Sequence, residues 1–167
     1  GDFFISYDNG FDKHGLKKVN IRRYFPMDME DLSLGSCPGG GSCIFIADTG
    51  DNGHIRPWGE IVLIKERTYS RDAVIRNARI FKRFRVKYPL KMKHNIEAMS
   101  VHPSGDIFLM TKGAQETHIL KIPYETWQGT TYKQTVNAQY VATWKLSSLL
   151  SGNHKERDFL VTSMDIS

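Results

Sequence analysis

The chain has 167 residues, of which 40% are hydrophobic and 11% aromatic, and it carries a net charge of +5 at pH 7. This composition is typical of a globular protein with a substantial core and excludes a disordered chain. No apolar run approaches the ~20 residues that a membrane-spanning helix needs. The positive charge is concentrated in residues 65–93, which hold 11 Lys and Arg against only Glu66 and Asp72.

Short segments with strand character, separated by turn residues, follow one another along the whole chain. In chain order, the predicted strands are residues 3–7, 17–25, 29–34, 43–47, 60–65, 78–88, 96–101, 106–111, 118–123 and 139–146. No segment of 12 or more residues has a convincing helical period. The sequence therefore predicts an all-β protein.

One strand sequence returns at a fixed spacing. Residues 28–33 (DMEDLS) are echoed by residues 95–100 (NIEAMS) and more weakly by residues 162–167 (TSMDIS), so that equivalent positions are 67 residues apart. Each of the first two copies is followed by an apolar strand and then by two more strands, which is the pattern of a four-stranded propeller blade. The predicted units are a partial blade at 1–28, complete blades at 29–95 and 96–162, and the start of another blade at 163–167.

Three motifs resemble a widespread group of secreted β-propeller proteins, most of them uncharacterised and some distantly related to esterase-like phytases. They are Met29–Ser33, the acidic loop Asp48–Asn52 and Ile96–Ser100, in the same order as in that group, although Ala47 stands where the group has glycine. The resemblance implies a secreted propeller of which this chain corresponds to about the first half. We therefore expect a further propeller segment, from the same polypeptide or from a second chain, to complete the ring.

The acidic residues of the loop and of the repeated strands suggest a metal site. Asp48, Asp51 and Asn52 lie in one loop with Gly50 and Gly53, which let oxygens converge, and Glu30 and Glu97 occupy equivalent positions in neighbouring blades. Hard oxygen ligands without cysteine favour Ca²⁺. The competing interpretation is that Asp48, Asp51 and Asn52 form turns while the two glutamates bond backbone amides.

Cys37 and Cys43 flank a Pro-Gly-Gly-Gly-Ser turn that lets two strand ends approach to disulfide distance. We predict a disulfide, and hence an oxidising, extracellular location. The alternative is two unlinked thiols beside a hairpin turn.

Four further residues are candidates for contact with a ligand, protein or polysaccharide. Trp58 and His54 lie near the acidic loop, and Arg83 and Arg85 belong to the basic stretch 76–93. That stretch interleaves cations with aromatic residues, as in proteins that bind nucleic acid or another polyanion. Because outer strands also use Lys and Arg to block edge-to-edge pairing, we expect nucleic-acid binding to be absent.

Three functions are compatible with these residues. The leading hypothesis is an extracellular binding or structural propeller stabilised by a Ca²⁺-type ion, rather than an enzyme. The alternatives are a metal-dependent, phytase-like ester hydrolase and a polyanion binder. Asp48-Thr49-Gly50 also matches the catalytic triplet of aspartic proteases, but Thr111-Lys112 at the equivalent place in the second repeat argues against a shared-proton dyad.

Overall fold

The structure, a computed structural model, describes residues 2–6, 16–66, 77–89, 94–113, 116–145, 161 and 163–165. This part of the chain is all-β, with twelve strands in three sheets and one short helix. The strands are β1 (Asp2–Ser6), β2 (Leu16–Ile21), β3 (Met29–Ser36), β4 (Ser42–Asp48), β5 (Gly59–Lys65), β6 (Asn77–Ala78), β7 (Ile80–Lys87), β8 (Ile96–Val101), β9 (Ile107–Thr111), β10 (Thr117–Ile122), β11 (Thr135–Asn137) and β12 (Gln139–Trp144); helix α1 is Tyr124–Trp127.

The first large sheet is built by the first repeat. Strands β3, β4, β5 and β7 pair antiparallel in chain order, and the short strand β11 adds to β7 in parallel. The central strands β4 and β5 are apolar on both faces because both faces are covered, which explains their uninterrupted hydrophobic sequences. The turn between β3 and β4 is closed by the predicted Cys37–Cys43 disulfide, whose Cα atoms are 5.1 Å apart.

The second large sheet repeats this order with β8, β9, β10 and β12, again antiparallel and consecutive. Every residue of β8 is buried. The turn between β8 and β9 has Gly105 at φ 87°, a left-handed conformation that glycine adopts without strain. Each of the two predicted repeat units therefore supplies four antiparallel strands to one large sheet.

The third sheet joins distant parts of the chain. Strand β2 pairs antiparallel with β1 and parallel with β6, which precedes β7. Val19 and Ile21 of β2, and Tyr24 just after the turn that follows it, are buried against the outer face of the first large sheet. The predicted strand 17–25 ends at Ile21 instead, because the chain turns at Arg23, whose φ is 59°.

The two large sheets share one core. It contains Phe45 and Leu63 of the first sheet, Met99 and Leu109 of the second, and Trp127 from helix α1. Within the described residues, no helix is long and apolar enough to cross a membrane.

The predicted all-β class and the predicted disulfide are confirmed. Helix α1 was not predicted, nor was the addition of β11, from the second repeat, to the first sheet. Of the predicted third copy of the repeat, residues 162, 166 and 167 lie outside the described residues, as do residues 76 and 90–93 of the basic stretch.

Candidate functional site

Asp48, at the end of β4, is fully engaged by protein donors. Its carboxylate accepts hydrogen bonds from the Tyr24 hydroxyl at 2.5 Å, the Asp28 N–H at 2.8 Å and the Met27 N–H at 3.1 Å. The Arg56 guanidinium lies 3.1 Å away. Burial by itself would raise the pKa of Asp48, but these hydrogen bonds and the Arg56 charge outweigh it and hold that pKa below its usual value. The arrangement stabilises an ionised carboxylate rather than a shared proton.

Asp51 closes the loop that follows. Its two oxygens accept the N–H groups of Ile55 and Arg56, each at 2.9 Å, which makes the turn predicted as the alternative to metal binding. Its own N–H donates to the side-chain oxygen of Asn95 at 2.6 Å, and the Asn95 amide donates to Asn52 at 3.1 Å. The loop is thereby fastened to the segment just before β8.

Three carboxyl groups interact electrostatically near the junction of the two large sheets, and we term Asp28, Glu30 and Glu97, together with Lys112, the acidic cluster. Glu97, on β8, accepts hydrogen bonds from Lys112 at 2.7 Å and from Asn95 at 2.8 Å. Asp28 immediately precedes β3 and Glu30 lies in it, so their side chains are on the same face of the strand. The two side chains hydrogen-bond each other. Both pack directly on Gly50, where any Cβ would collide with their carboxylates.

The electrostatics of the cluster are unbalanced. Burial, the neighbouring charges of Glu97 and Asp28, and the hydrogen bond with Asp28 together raise the pKa of Glu30 to about 7. The hydrogen bond and charge of Glu97 raise the pKa of Lys112, which therefore stays protonated. One cation faces three carboxyl groups, so Glu30 carries a proton near neutral pH that an additional cation could displace.

A polar cavity of about 290 Å³ adjoins the acidic cluster, because Lys112 belongs to both and Asn95, in the cavity wall, donates to Glu97. The side chains that line it are His54, His94, Asn95, Thr111, Lys112, Glu116 and His118. The rings of His94 and His118 are 5.5 Å apart. Burial, with the nearby His118 and His54, lowers the pKa of His94, so this ring is neutral at pH 7. The cavity thus presents imidazole, amide and hydroxyl groups at its wall.

The other predicted contact residues are grouped elsewhere, around Glu60 on β5. The Arg83 Nε donates to Glu60 at 2.9 Å, and the Arg85 guanidinium lies 4.2 Å from the centre of the Trp58 ring. Arg85 Nε is 3.7 Å from the second Glu60 oxygen. The basic face of β7 is therefore partly neutralised by Glu60, and His54 is the one predicted contact residue that lines the cavity.

Several residues of this site were not predicted from the sequence. Asp28 had a readable signal, since strand alternation puts it on the same face as Glu30. Asn95 had one as well, since it is the repeat equivalent of Asp28. Lys112 and His118 come together with it only through strand pairing in the second large sheet. Arg56 was likewise unmarked in sequence.

Among the residues that the structure describes, no three His, Cys, Asp or Glu residues are grouped closely enough to hold a metal ion. Comparison with protein-family models, with curated proteins and with solved structures finds no match for this chain.

Proposed function

We propose that this chain is a binding module, a segment of an extracellular β-propeller whose ligand enters the polar cavity beside the acidic cluster. The observation that supports it most is the convergence of side chains from the β4–β5 loop and from the second large sheet and its loops on one cavity, next to a carboxyl group with a strongly raised pKa. The disulfide is compatible with an extracellular location.

The repeat supports the propeller part of the proposal. Glu30 and Glu97 occupy equivalent positions of the two repeats, on the first strands β3 and β8 of their sheets, and both belong to the acidic cluster. In a propeller the first strand of each blade lines the central channel. A further propeller segment, in the same polypeptide or in a second chain, is the partner that would complete the ring.

A Ca²⁺-type cation is the second part of the proposal, with a revised ligand set. Asp48 and Asp51 suit a cation poorly because N–H and O–H donors already occupy their oxygens. Asp28, Glu30 and Glu97 supply the hard oxygens that Ca²⁺ prefers, and a cation would relieve their mutual repulsion. Binding requires these side chains to move closer together, because the described residues contain no group of three that could hold a metal ion, and Glu97 would have to exchange its ion pair with Lys112 for the cation.

The cation is tested by thermal unfolding at pH 8 with Ca²⁺ and with EDTA. Ca²⁺ at 100 times its Kd should add about 2.7 kcal/mol to the free energy of unfolding, which raises Tm by several degrees. Glu30→Gln should abolish the Ca²⁺-induced shift, whereas the control Glu125→Gln, an exposed residue of helix α1, should retain it. Absence of a shift with any divalent cation would remove the cation from the proposal.

The cavity is tested separately by two-dimensional amide NMR during titration with neutral oligosaccharides, whose hydroxyls can hydrogen-bond the imidazole, amide and hydroxyl groups of its wall. We expect amide chemical-shift changes confined to residues 94–95, 111–112 and 116–118. These changes should be smaller in His118→Gln, whereas His102→Gln, on the exposed turn after β8, should leave them unaltered. Shifts scattered over the surface, or none, would count against a binding cavity.

One observation favours an ester hydrolase as a second candidate. Glu30, with a pKa of about 7 beside a protonated Lys112, is suited to proton transfer near neutral pH. We would measure turnover of para-nitrophenyl phosphate and acetate with added Ca²⁺. Turnover with an inflection near pH 7 that Glu30→Gln abolishes would establish hydrolysis, and no turnover of either ester would exclude these substrates.

A further inference from the structure

A second cavity lies on the small sheet, and three arginines line it. It has a volume of about 260 Å³ and is bordered by Arg22, Arg23, Arg79 and Ile80. Arg22 and Arg23 form the turn after β2, and Arg79 lies between β6 and β7. Sequence pattern does not predict this grouping, since the arginines come from segments more than 50 residues apart.

The backbone holds the three arginines together. Strand β2 pairs in parallel with β6, with Ile21 opposite Ala78, and the Arg22 N–H donates to the Ala78 carbonyl at 2.9 Å. Arg23 has φ 59°, a left-handed conformation that costs a non-glycine residue free energy. The turn therefore keeps consecutive arginines at the rim of the cavity at some cost in backbone strain.

The charges of this cavity are not compensated within the part of the chain that the structure describes. Arg22, Arg23 and Arg79 are exposed and form no salt bridge there. The contrast within the same chain is sharp, because Arg56 pairs with Asp48 and Arg83 pairs with Glu60. Three like charges around a concave surface concentrate positive potential, which an anion would relieve.

We propose that this cavity binds a tetrahedral oxyanion, a phosphate or sulfate group. Guanidinium groups present planar forks of N–H donors that match the oxygens of such anions, and two or three of them can share one anion. Ile80 supplies an apolar wall against which the carrier of the anion can pack. The oxyanion site goes beyond the proposed function, because it uses none of the residues of the polar cavity or of the acidic cluster.

The oxyanion can come from a free ion or from a sulfated polysaccharide, and the same experiment distinguishes the two sources. The full chain is titrated calorimetrically with inorganic phosphate, inorganic sulfate and a heparin-derived oligosaccharide at fixed ionic strength. Arg22→Gln and Arg79→Gln should each weaken binding about tenfold, as expected for loss of one charge-assisted hydrogen-bond partner. Arg23→Asn should weaken it similarly, since asparagine accepts the left-handed conformation.

Lys87→Gln is the matched control, because it removes one positive charge from an exposed position of β7 that does not line the cavity. It should leave affinity within about twofold of the original. If the oligosaccharide binds more tightly than the ions and its binding depends on the arginines, the source is a polysaccharide. If the oligosaccharide and the ions bind with equal affinity, the source is a free ion. Equal losses in Lys87→Gln and the arginine variants, or no binding of any probe, would overturn the proposal. Unchanged Tm of each variant verifies that folding is intact.

Discussion

At the scale of single residues, the donors around a carboxylate decide what it does. Asp48 and Asp51 are surrounded by N–H groups, a hydroxyl and a guanidinium, so their charge is stabilised and their role is to hold loops. Glu30 meets two other carboxyl groups and one lysine, so its charge is destabilised. Sequence alone did not distinguish these acids, because each lies in a predicted strand or in the loop that follows one.

The raised pKa of Glu30 predicts a pH-dependent penalty. Because the folded-state pKa is about 7 and the ordinary value is 4.5, the unfolded chain releases this proton first as pH rises. Stability therefore falls between about pH 4.5 and 7 and stays lower above that range. Without added divalent cations, the free energy of unfolding of Glu30→Gln should equal that of the original protein near pH 4. At pH 8 it should be larger by about 1–2 kcal/mol, a figure reduced to allow for the partial exposure of Glu30. Urea unfolding at both pH values measures this, and a pH-independent difference would contradict it.

Arg56 predicts a loss of stability of a different origin. Its guanidinium bonds the Asp48 carboxylate, the Asp48 carbonyl and the Gly50 carbonyl, all in a buried setting. Arg56→Met leaves these acceptors without the cation and should lower the free energy of unfolding by about 3 kcal/mol. Arg56→Lys keeps the charge but loses the fork, so its loss should be smaller. Equal stability of the Met variant and the original protein in urea would show that Asp48 does not depend on Arg56.

At the scale of elements, the short helix α1 links the repeats. It brings Trp127 beneath the first sheet, with ring centres 5.5 Å from Phe45 and 5.8 Å from Phe84. The indole N–H donates to the Gly105 carbonyl, in the turn between β8 and β9, at 3.0 Å. One side chain from the second repeat therefore fills the core against the first sheet and is anchored to its own sheet by a hydrogen bond.

Truncation of Trp127 should be among the most damaging changes in the core. Trp127→Ala removes a fully buried side chain and should cost about 3–5 kcal/mol. Trp127→Phe retains part of the packing but leaves the Gly105 carbonyl unpaired, so we expect an intermediate loss. Chemical unfolding followed by far-ultraviolet circular dichroism is suitable, because the signal does not depend on the tryptophan itself. A loss below 1 kcal/mol for the alanine variant would contradict a role in joining the repeats.

At the scale of the whole molecule, the large sheets meet through side-chain-to-backbone hydrogen bonds between their first strands. Asp31 on β3 accepts the Met99 N–H of β8 at 2.8 Å, and Ser33 accepts the Val101 N–H at 3.1 Å. Burial raises the pKa of Asp31, although hydrogen bonds from the Met99, Leu32 and Met164 N–H groups oppose this. The repeated strand thus contributes the residues that hold neighbouring sheets in register.

We predict that these contacts stabilise the pair of sheets as one unit. Asp31→Ala should lower the free energy of unfolding by about 1–2 kcal/mol, because the buried Met99 N–H loses its acceptor. Asp31→Asn keeps an acceptor oxygen and should cost less than half as much, which makes it the matched control. Equilibrium unfolding followed by both tryptophan fluorescence and circular dichroism should give coincident transitions. Equal losses in the two variants would indicate that the hydrogen bond to Met99 is unimportant.

The sequence by itself determined the all-β class, most strands, their order within each repeat and the disulfide. These features depend on local signals: alternation of apolar residues, turn residues, and cysteines either side of a glycine turn. Only the tertiary structure decided which side chains meet. The acidic cluster, the two cavities and the attachment of β11 to β7 depend on strand pairing and sheet packing between residues far apart in the chain. Such contacts produce no periodic signal in the sequence, because the local pattern of each strand is the same whichever strand packs against it.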